Sequence, residues 1–368
     1  MKIWIVGLPN VGKSTLFNAL TKSYAADAQN FPFCTIDPNV GIVDVRDPRV
    51  DKLAELSHSK KKIYAPIEFV DIAGLVKGAG KWEWLGNKFL SHIREVDAIV
   101  QVLRYFKDSN VSHVEGEVDP QRDVEIINDE LIFADLEQLE RKLPALQKKA
   151  QTTGDKFLKK EAELLQKVYA VLSDGKMAHT LLGSLNDADI KILKTYNLLT
   201  IKPVIYALNV GQDDLIDFQT IQEEFSRKLN DPVAIVCAKI ESELMELEWE
   251  EKNEFLAELL ELEDIEHVPT LDDMIALAFN TVGLMYYFTT WEKETKAWKV
   301  KIGSTAPQAA GVIHGDFERW FIKAEVVSCD DLLEVWSWAQ AKSKWLVRLE
   351  GKDYIVQDGD VMIFKFNI

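Results

Sequence analysis

The stretch that most constrains this chain is its beginning. Lys2-Ile3-Trp4-Ile5-Val6 is an apolar run of strand length, Gly7-Leu8-Pro9-Asn10-Val11-Gly12 is a turn bounded by glycines, and Lys13-Ser14-Thr15-Leu16-Phe17 opens a helically spaced segment reaching Leu20. Strand, G-x-x-x-x-G-K-S, helix is the order in which backbone N–H groups and a helix N-terminus wrap a phosphate chain. Lys13 is placed to reach the β- and γ-phosphates as a point charge, and the Ser14 hydroxyl to ligate Mg²⁺. A glycine-rich turn alone would be unremarked; with strand and helix on either side, a nucleoside triphosphate site is expected.

The bulk properties set bounds around that site. A chain of 368 residues is long enough for two or three domains. Its 47% hydrophobic and 28% charged residues are those of a globular protein. No apolar run approaches a membrane span and the N-terminus enters a strand with no signal-peptide pattern, so a cytoplasmic protein without membrane contact is expected. Cys34, Cys237 and Cys329 lie far apart without metal-ligand spacing and read as reduced thiols. A formal net charge of −17 argues against broad non-specific nucleic-acid binding, leaving only local basic patches for RNA.

Further along, Asn30 to Asn39 forms a loop bracketed by prolines, leading to Gly41-Ile42-Val43-Asp44-Val45, which alternates like a strand. Thr35 in that loop is placed to complete the Mg²⁺ shell and sense the γ-phosphate. Ile67 to Leu75 reads as a strand ending in D-x-A-G: Asp71 is placed to hold the metal, through water, and Gly74 to bring a backbone N–H to the γ-phosphate. Leu75 stands where many GTPases carry a glutamine that orients the attacking water, and leucine cannot hydrogen-bond water. Ala98–Leu103, Pro203–Asn209 and Val233–Lys239 are further buried strands. Strands alternating with helical stretches predict an α/β, doubly wound, mostly parallel sheet with its site at the C-terminal strand ends.

Between the strands near 103 and 203 lies an insertion too long for one crossover helix. Ile132, Leu136, Leu139, Leu143, Leu146 and Ala150 step by fours and threes, and Leu158, Ala162, Leu165, Tyr169 and Leu172 repeat the rhythm. Joined at Thr152-Thr153-Gly154-Asp155, they predict an antiparallel coiled-coil hairpin, kinked at Pro144. Its outer lysines Lys148, Lys149, Lys159 and Lys160 are solvated surface or a docking arm. Glu241 to Glu266 is acidic with helical spacing, the pattern of a solvated face. From Met285 strand-like segments such as Ala297–Lys301 and Asp353–Asp360 predict a small α+β domain.

These motifs together resemble one family, the YchF or Obg-like ATPases of the translation-factor GTPase class. The resemblance rests on G-L-P-N-V-G-K-S-T, N-F-P-F-C-T-I-D-P-N, D-I-A-G-L-V-K-G-A, V-D-P-Q-R-D-V-E-I-I-N, A-P-Q-A-A-G-V-I-H-G-D-F and the C-terminal L-E-G-K-D-Y-I-V-Q-D-G-D. It implies an OBG-type P-loop domain over 1–127 and 200–284, a coiled-coil insertion over 128–199 and a TGS domain over 285–368. It also implies binding to the ribosome and its large subunit, expected through rRNA, and hydrolysis of ATP in preference to GTP. Leu75 then becomes a family feature, with a loop histidine, here His113, supplying the lost water-positioning group. His113 and Lys13 are thus the candidate catalytic residues. Ser14, Thr35 and Asp71 are the metal set. The nucleotide-binding set is Asn10, Val11, Gly12, Lys13, Ser14, Thr15, Gly74, Asn209, Val210, Gln212, Ala238 and Lys239.

Two departures from the family stand out. In Asn209-Val210-Gly211-Gln212 the last residue replaces the glutamate usual in the family and the aspartate of guanine-specific relatives. A neutral amide loses the charge-assisted pairing with guanine while Asn209 keeps its reach toward the purine N7 edge, which favours ATP or weak discrimination. Secondly, Trp4, Trp82, Trp84, Trp291, Trp320, Trp336 and Trp345 fall where the resemblance implies glycine, whereas Trp298 matches a family tryptophan. Either this lineage has gathered surface aromatics, or UGA codons meaning glycine stand here as tryptophan. Three readings of function remain at this point: a Mg²⁺-dependent ATPase acting as a ribosomal switch, a ribosome- or RNA-binding switch of negligible intrinsic turnover, and a metabolic nucleotide kinase. The D-x-A-G and N-x-x-Q elements argue against the last.

Overall fold

The computed structural model describes residues 1–23, 40–71, 94–108, 117–244 and 268–367, with positions 251, 255, 256 and 259 between the last two stretches. The chain runs through β1 (Lys2–Val6), α1 (Lys13–Ser23), β2 (Val40–Val45), α2 (Pro48–Leu56), β3 (Lys62–Ile63), β4 (Ala65–Asp71) and β5 (Ala98–Arg104). It continues with α3 (Pro120–Thr153), α4 (Lys156–Ser173), α5 (Asp187–Lys194), β6 (Val204–Asn209), α6 (Phe218–Leu229), β7 (Val233–Val236) and α7 (Ala238–Glu243). It closes with α8 (Leu271–Thr281), β8 (Leu284–Thr290), β9 (Thr295–Lys301), α9 (Ala306–Ile313) and α10 (Gly315–Arg319). Last come β10 (Phe321–Ser328), α11 (Cys329–Val335), α12 (Trp338–Ser343), β11 (Arg348–Glu350) and β12 (Asp360–Phe366). Two compact units result: Met1–Ser23 with Glu68–Met274, and Ile42–Ile67 with Ile275–Ile368.

In the first unit the strand order β4-β1-β5-β6-β7 is parallel throughout, with Ile5 beside Asp71, Val6 beside Gln101 and Asn209 between Arg104 and Val236. Every residue of β5, β6 and β7 is buried, which is why these strands read as unbroken apolar runs rather than alternating ones. The order reverses between β1 and β5, and the loop after β1 opens at that switch point. The last strand is shorter than its sequence suggests: β7 stops at Val236, and Ala238 already begins α7.

The helical hairpin forms as its periodicity predicts. Asp119 caps α3 by accepting from Gln121 N at 3.1 Å and Arg122 N at 3.2 Å, with Pro120 as the first helical residue. Gly154, at φ 65°, ends α3, and Asp155 caps α4 by accepting from Phe157 N at 2.8 Å. Leu139, Leu143, Ala150, Ala162, Leu165 and Leu172 are buried in the seam, while Leu136, Leu146, Leu158 and Tyr169 are half-buried. Pro144, expected to kink the arm, lies inside one continuous helix. A polar cluster anchors the base of the hairpin. The fully buried Asp135 accepts from Arg94 Nη1 at 2.7 Å, and from Thr200 N at 2.8 Å and Thr200 Oγ1 at 2.7 Å. Lys202 Nζ donates to the Arg94 and Val96 carbonyls beside it.

Glu241 departs from the solvated-face expectation. It is 3% exposed, and its Oε1 accepts from Leu271 N at 2.8 Å, satisfying an N–H that the start of α8 cannot pair within the helix. Most of the rest of that acidic stretch falls outside the described residues.

The second unit is a six-stranded sheet in the order β11-β10-β12-β8-β9-β3. β3 pairs in parallel with β9, Lys62 beside Thr295, so residues preceding β4 complete a sheet whose other strands are all C-terminal. Tyr287, Val300, Ala309, Phe321, Val326 and Met362 share its core, and the buried Tyr287 hydroxyl donates to Ala309 O at 2.8 Å. Arg49 on α2 joins the two parts of the unit: it pairs with Asp47 at 2.8 Å and Asp358 at 2.7 Å and lies 5.0 Å over the Phe288 ring. The strand expected over Asp353–Asp360 is mostly turn. Gly359, at φ 85°, and Asp360 N donating to Gln357 O at 3.2 Å reverse the chain, and β12 starts only at Asp360.

Replacing Asp135 by alanine strands the Arg94 guanidinium and the Thr200 N–H. It should lower stability by about 2–4 kcal/mol, read from chemical denaturation; a loss below about 0.5 kcal/mol, the range of ordinary surface changes, would show that water replaces the carboxylate.

Candidate functional site

The loop from Gly7 to Gly12 connects β1, buried from Ile3 to Val6, to α1, and both of its glycines are required by space. A Cβ on Gly7 would lie 2.5 Å from Val102 O, and one on Gly12, at φ 98°, 2.2 Å from Asn209 Nδ2. Asn10 takes the left-handed φ of 64° that asparagine tolerates. Leu16 N then donates to Gly12 O at 2.9 Å, the first turn of α1, leaving the N–H groups before it for a phosphate. Ser14 and Thr15 are exposed in that first turn.

Lys13 Nζ donates to Leu8 O at 2.8 Å, folding the side chain back over its own loop. Burial pulls its pKa below the ordinary lysine value, an effect the Asp71 carboxylate partly offsets. Burial likewise raises Asp71, and Lys13 partly offsets it. Asp71 Oδ1 is buried with no hydrogen-bond partner among the described residues. An ionised carboxylate oxygen held dry and unpaired fits a hard cation. Magnesium is commonly held by one or two protein oxygens plus substrate phosphates rather than by a full protein cage. No cluster of three or more His, Cys, Asp or Glu that would form such a cage exists among the described residues. Ser14 and Asp71 therefore suit Mg²⁺ beside a phosphate chain. Thr35, Gly74, Leu75 and His113 lie outside the described residues.

The opposite side of the site is a cleft of about 1000 Å³. Asn209, 4% exposed at the end of β6, organises it: its Nδ2 donates to Val11 O at 2.9 Å and its Oδ1 accepts from Ala238 N at 3.0 Å. The carboxamide thus ties the phosphate loop to the turn after β7. Val210 is buried, while Gln212 and Lys239 line the cleft with Gly12 and Thr15.

Sequence reasoning missed one wall, Tyr105-Phe106-Lys107-Asp108. Tyr105 N and Phe106 N both donate to Asn209 O, at 2.9 and 3.1 Å, and the buried Arg104 guanidinium stacks 4.4 Å over the Phe106 ring. These residues follow the C-terminal end of a buried central strand, where ligands bind in such sheets, and that position was the available signal.

A parallel sheet with a glycine cradle, lysine and helix at its switch point defines a P-loop nucleoside triphosphatase, a hydrolase of acid anhydrides. Residues 2–135 match the family model described as "50S ribosome-binding GTPase". Residues 284–367 match the YchF-GTPase C-terminal model, described as "Protein of unknown function (DUF933)". The chain is 49% identical to the ribosome-binding ATPase YchF of Bacillus subtilis, over 99% of this chain and 98% of that protein. It is 44% identical to Obg-like ATPase 1 of Oryza sativa, over 100% of this chain and 92% of that one. The structure of the Schizosaccharomyces pombe YchF GTPase superposes with a TM-score of 0.85 at 36% identity, covering 99% of this chain and 97% of that chain. The chain belongs to the YchF family.

Two outcomes test the geometry. Gly12→Ala should abolish measurable nucleotide binding, and Asn209→Ala should weaken it about 10–100-fold, the scale of losing one or two hydrogen bonds to buried groups; unchanged affinity in Asn209→Ala would separate that residue from the loop. Burial raises the Asp71 pKa above its ordinary value in the ligand-free fold. Its contribution to stability is present below the unfolded value of about 3.9 and is lost as pH rises through the folded value. Asp71→Asn should therefore raise the ligand-free Tm at neutral pH while removing the Mg²⁺-dependent part of nucleotide affinity. In the wild type that part should fade on acidification, beginning above the ordinary aspartate range.

Proposed function

We propose that this protein is a Mg²⁺-dependent nucleoside triphosphatase that hydrolyses ATP, accepts GTP less well or comparably, and acts as a nucleotide-controlled switch on the ribosome. The observation that carries the nucleotide reading is the Gly7–Gly12 cradle, whose Gly12 shares one cleft with Gln212 of the base-reading turn and whose Lys13 interacts electrostatically with Asp71, the residue with an unpaired oxygen. Ribosome binding is supported by the names of full-length relatives and by the first family match. Contact with the large subunit, through rRNA, and a role in translation or the stress response extend that reading. A cytoplasmic location accords with it, and no described helix is long and apolar enough to cross a membrane.

Catalysis in such a site is positioning and charge neutralisation. The free N–H groups at the start of α1 hold the phosphate chain, and Lys13, released from Leu8 O, turns its ammonium to the β/γ-phosphates. Mg²⁺, held by Ser14, Thr35 and Asp71 (the last through water), would neutralise phosphate charge when bound. Leu75 offers no polar group to the attacking water, so His113, through an unprotonated ring nitrogen, orients it. The domain division 1–127 with 200–284, 128–199 and 285–368 belongs to the same proposal. Leu75 also favours one rival reading, a ribosome-binding switch with negligible intrinsic hydrolysis.

Competition between ATP and GTP tests base recognition. ATP should bind at least as tightly as GTP, and Gln212→Asp should move the preference toward GTP by about tenfold, the worth of a charge-assisted pair; a strong wild-type preference for GTP would end the assignment. Phosphate release measured with and without ribosomes tests the rest. Hydrolysis should fall about 10²-fold in His113→Ala with nucleotide affinity intact, whereas turnover near zero in the wild type, ribosomes present, would support the rival reading.

A further inference from the structure

Two helices of the C-terminal unit end on tryptophans in a backbone shape that suits glycine. α11 closes at Trp336, at φ 51°, with Trp336 N donating to Leu332 O at 2.9 Å. After α12, Trp345 has φ 60°, its N–H reaches Lys342 O at 3.1 Å, and Leu346 N reaches Ala341 O at 3.0 Å. These are the single-bond and paired-bond helix endings whose left-handed residue is usually glycine and sometimes asparagine. The other described non-glycine residues at positive φ are Asn10, His58, Asn197 and Asn230, types that tolerate it. For a bulky residue the left-handed region is a genuine outlier.

Among the described residues, neither indole has a hydrogen bond or ring contact to offset that strain. Trp345 is 90% exposed and Trp336 47%. Trp291 and Trp320 are also exposed, and Trp4, buried in β1, leaves its Nε1 without a hydrogen-bond partner among the described residues. Trp298 is the contrast: its Nε1 donates to Thr289 Oγ1 at 2.9 Å, its ring stacks with Tyr287, and the Lys296 ammonium lies 3.8 Å above it. Composition points the same way. Eighteen glycines in 368 residues is about 5%, against roughly 7% in ordinary proteins, and seven more close the gap.

We infer that Trp336 and Trp345, and with them Trp4, Trp291, Trp320 and, outside the described residues, Trp82 and Trp84, are glycines in the protein as its source makes it. Their codons are UGA, read there as glycine, while Trp298 is encoded by UGG. The left-handed helix ends are then ordinary glycine caps, and four exposed indoles leave the surface of the C-terminal unit.

Reading the coding DNA and the peptide masses of the protein isolated from its native source tests this directly. UGA at the seven positions, UGG at Trp298, and peptides lighter by the difference between tryptophan and glycine are expected. UGG at Trp336 and Trp345, or tryptophan masses there, overturns the inference, as does UGA at Trp298. A second measurement stands apart from the gene: in the chain carrying tryptophan, Trp336→Gly and Trp345→Gly should each raise Tm by roughly 2–4 °C, while Trp298→Gly lowers it. A fall in Tm for both cap variants also overturns it.

Discussion

One carboxamide holds the nucleotide site together. Asn209 is buried at the end of β6, and its side chain spans the gap between the phosphate loop and the turn after β7, donating to Val11 O and accepting from Ala238 N. Its backbone oxygen takes the N–H groups of Tyr105 and Phe106 as well. Three loops from three strands are thereby indexed to one residue. A side chain with one donor end and one acceptor end is needed for this, which a carboxylate or a hydrocarbon of equal size does not supply. The space left for Gly12 is set by the same amide, so the absence of a side chain there and the identity of Asn209 are two aspects of one constraint.

Charge is handled differently in the two units. In the first, Asp135 is fully buried yet saturated with donors, so it works as a structural joint beneath the helical hairpin. Asp71 is partly exposed but has an oxygen with no partner among the described residues, beside a lysine whose own charge is disfavoured by burial. An unsatisfied pair of that kind is a cost in the empty protein and an asset when phosphate and cation arrive. In the second unit Arg49 is spread over two carboxylates and an aromatic face. It leaves nothing unpaired for a ligand, and its work there is adhesion.

How much of this was legible in the sequence follows from how local each signal is. The phosphate loop is contiguous, and its chemistry is carried by glycine, lysine and serine at set spacing, so it could be read directly. The hairpin was equally plain because its periodicity persists over many turns, and Pro144 interrupts neither the pattern nor the helix. The 105–108 wall was missed because it works through backbone N–H groups and ring faces that no spacing advertises. Glu241 looked like one more acid on a solvated face; its role depends on Leu271, far along the chain. β3 has only two residues, too short for any periodicity, and it owes its existence to β9.

That short strand has a mechanical consequence. Ile42 to Ile67, the part of the chain that follows the Thr35 loop and runs into β4, is packed with the C-terminal unit. Asp71 lies at the far end of β4, four residues after the segment leaves that unit. The covalent path from one prospective cation contact to the other is therefore not a free linker but a clasped ribbon, fastened by β3 on β9 and by Arg49 on Asp358.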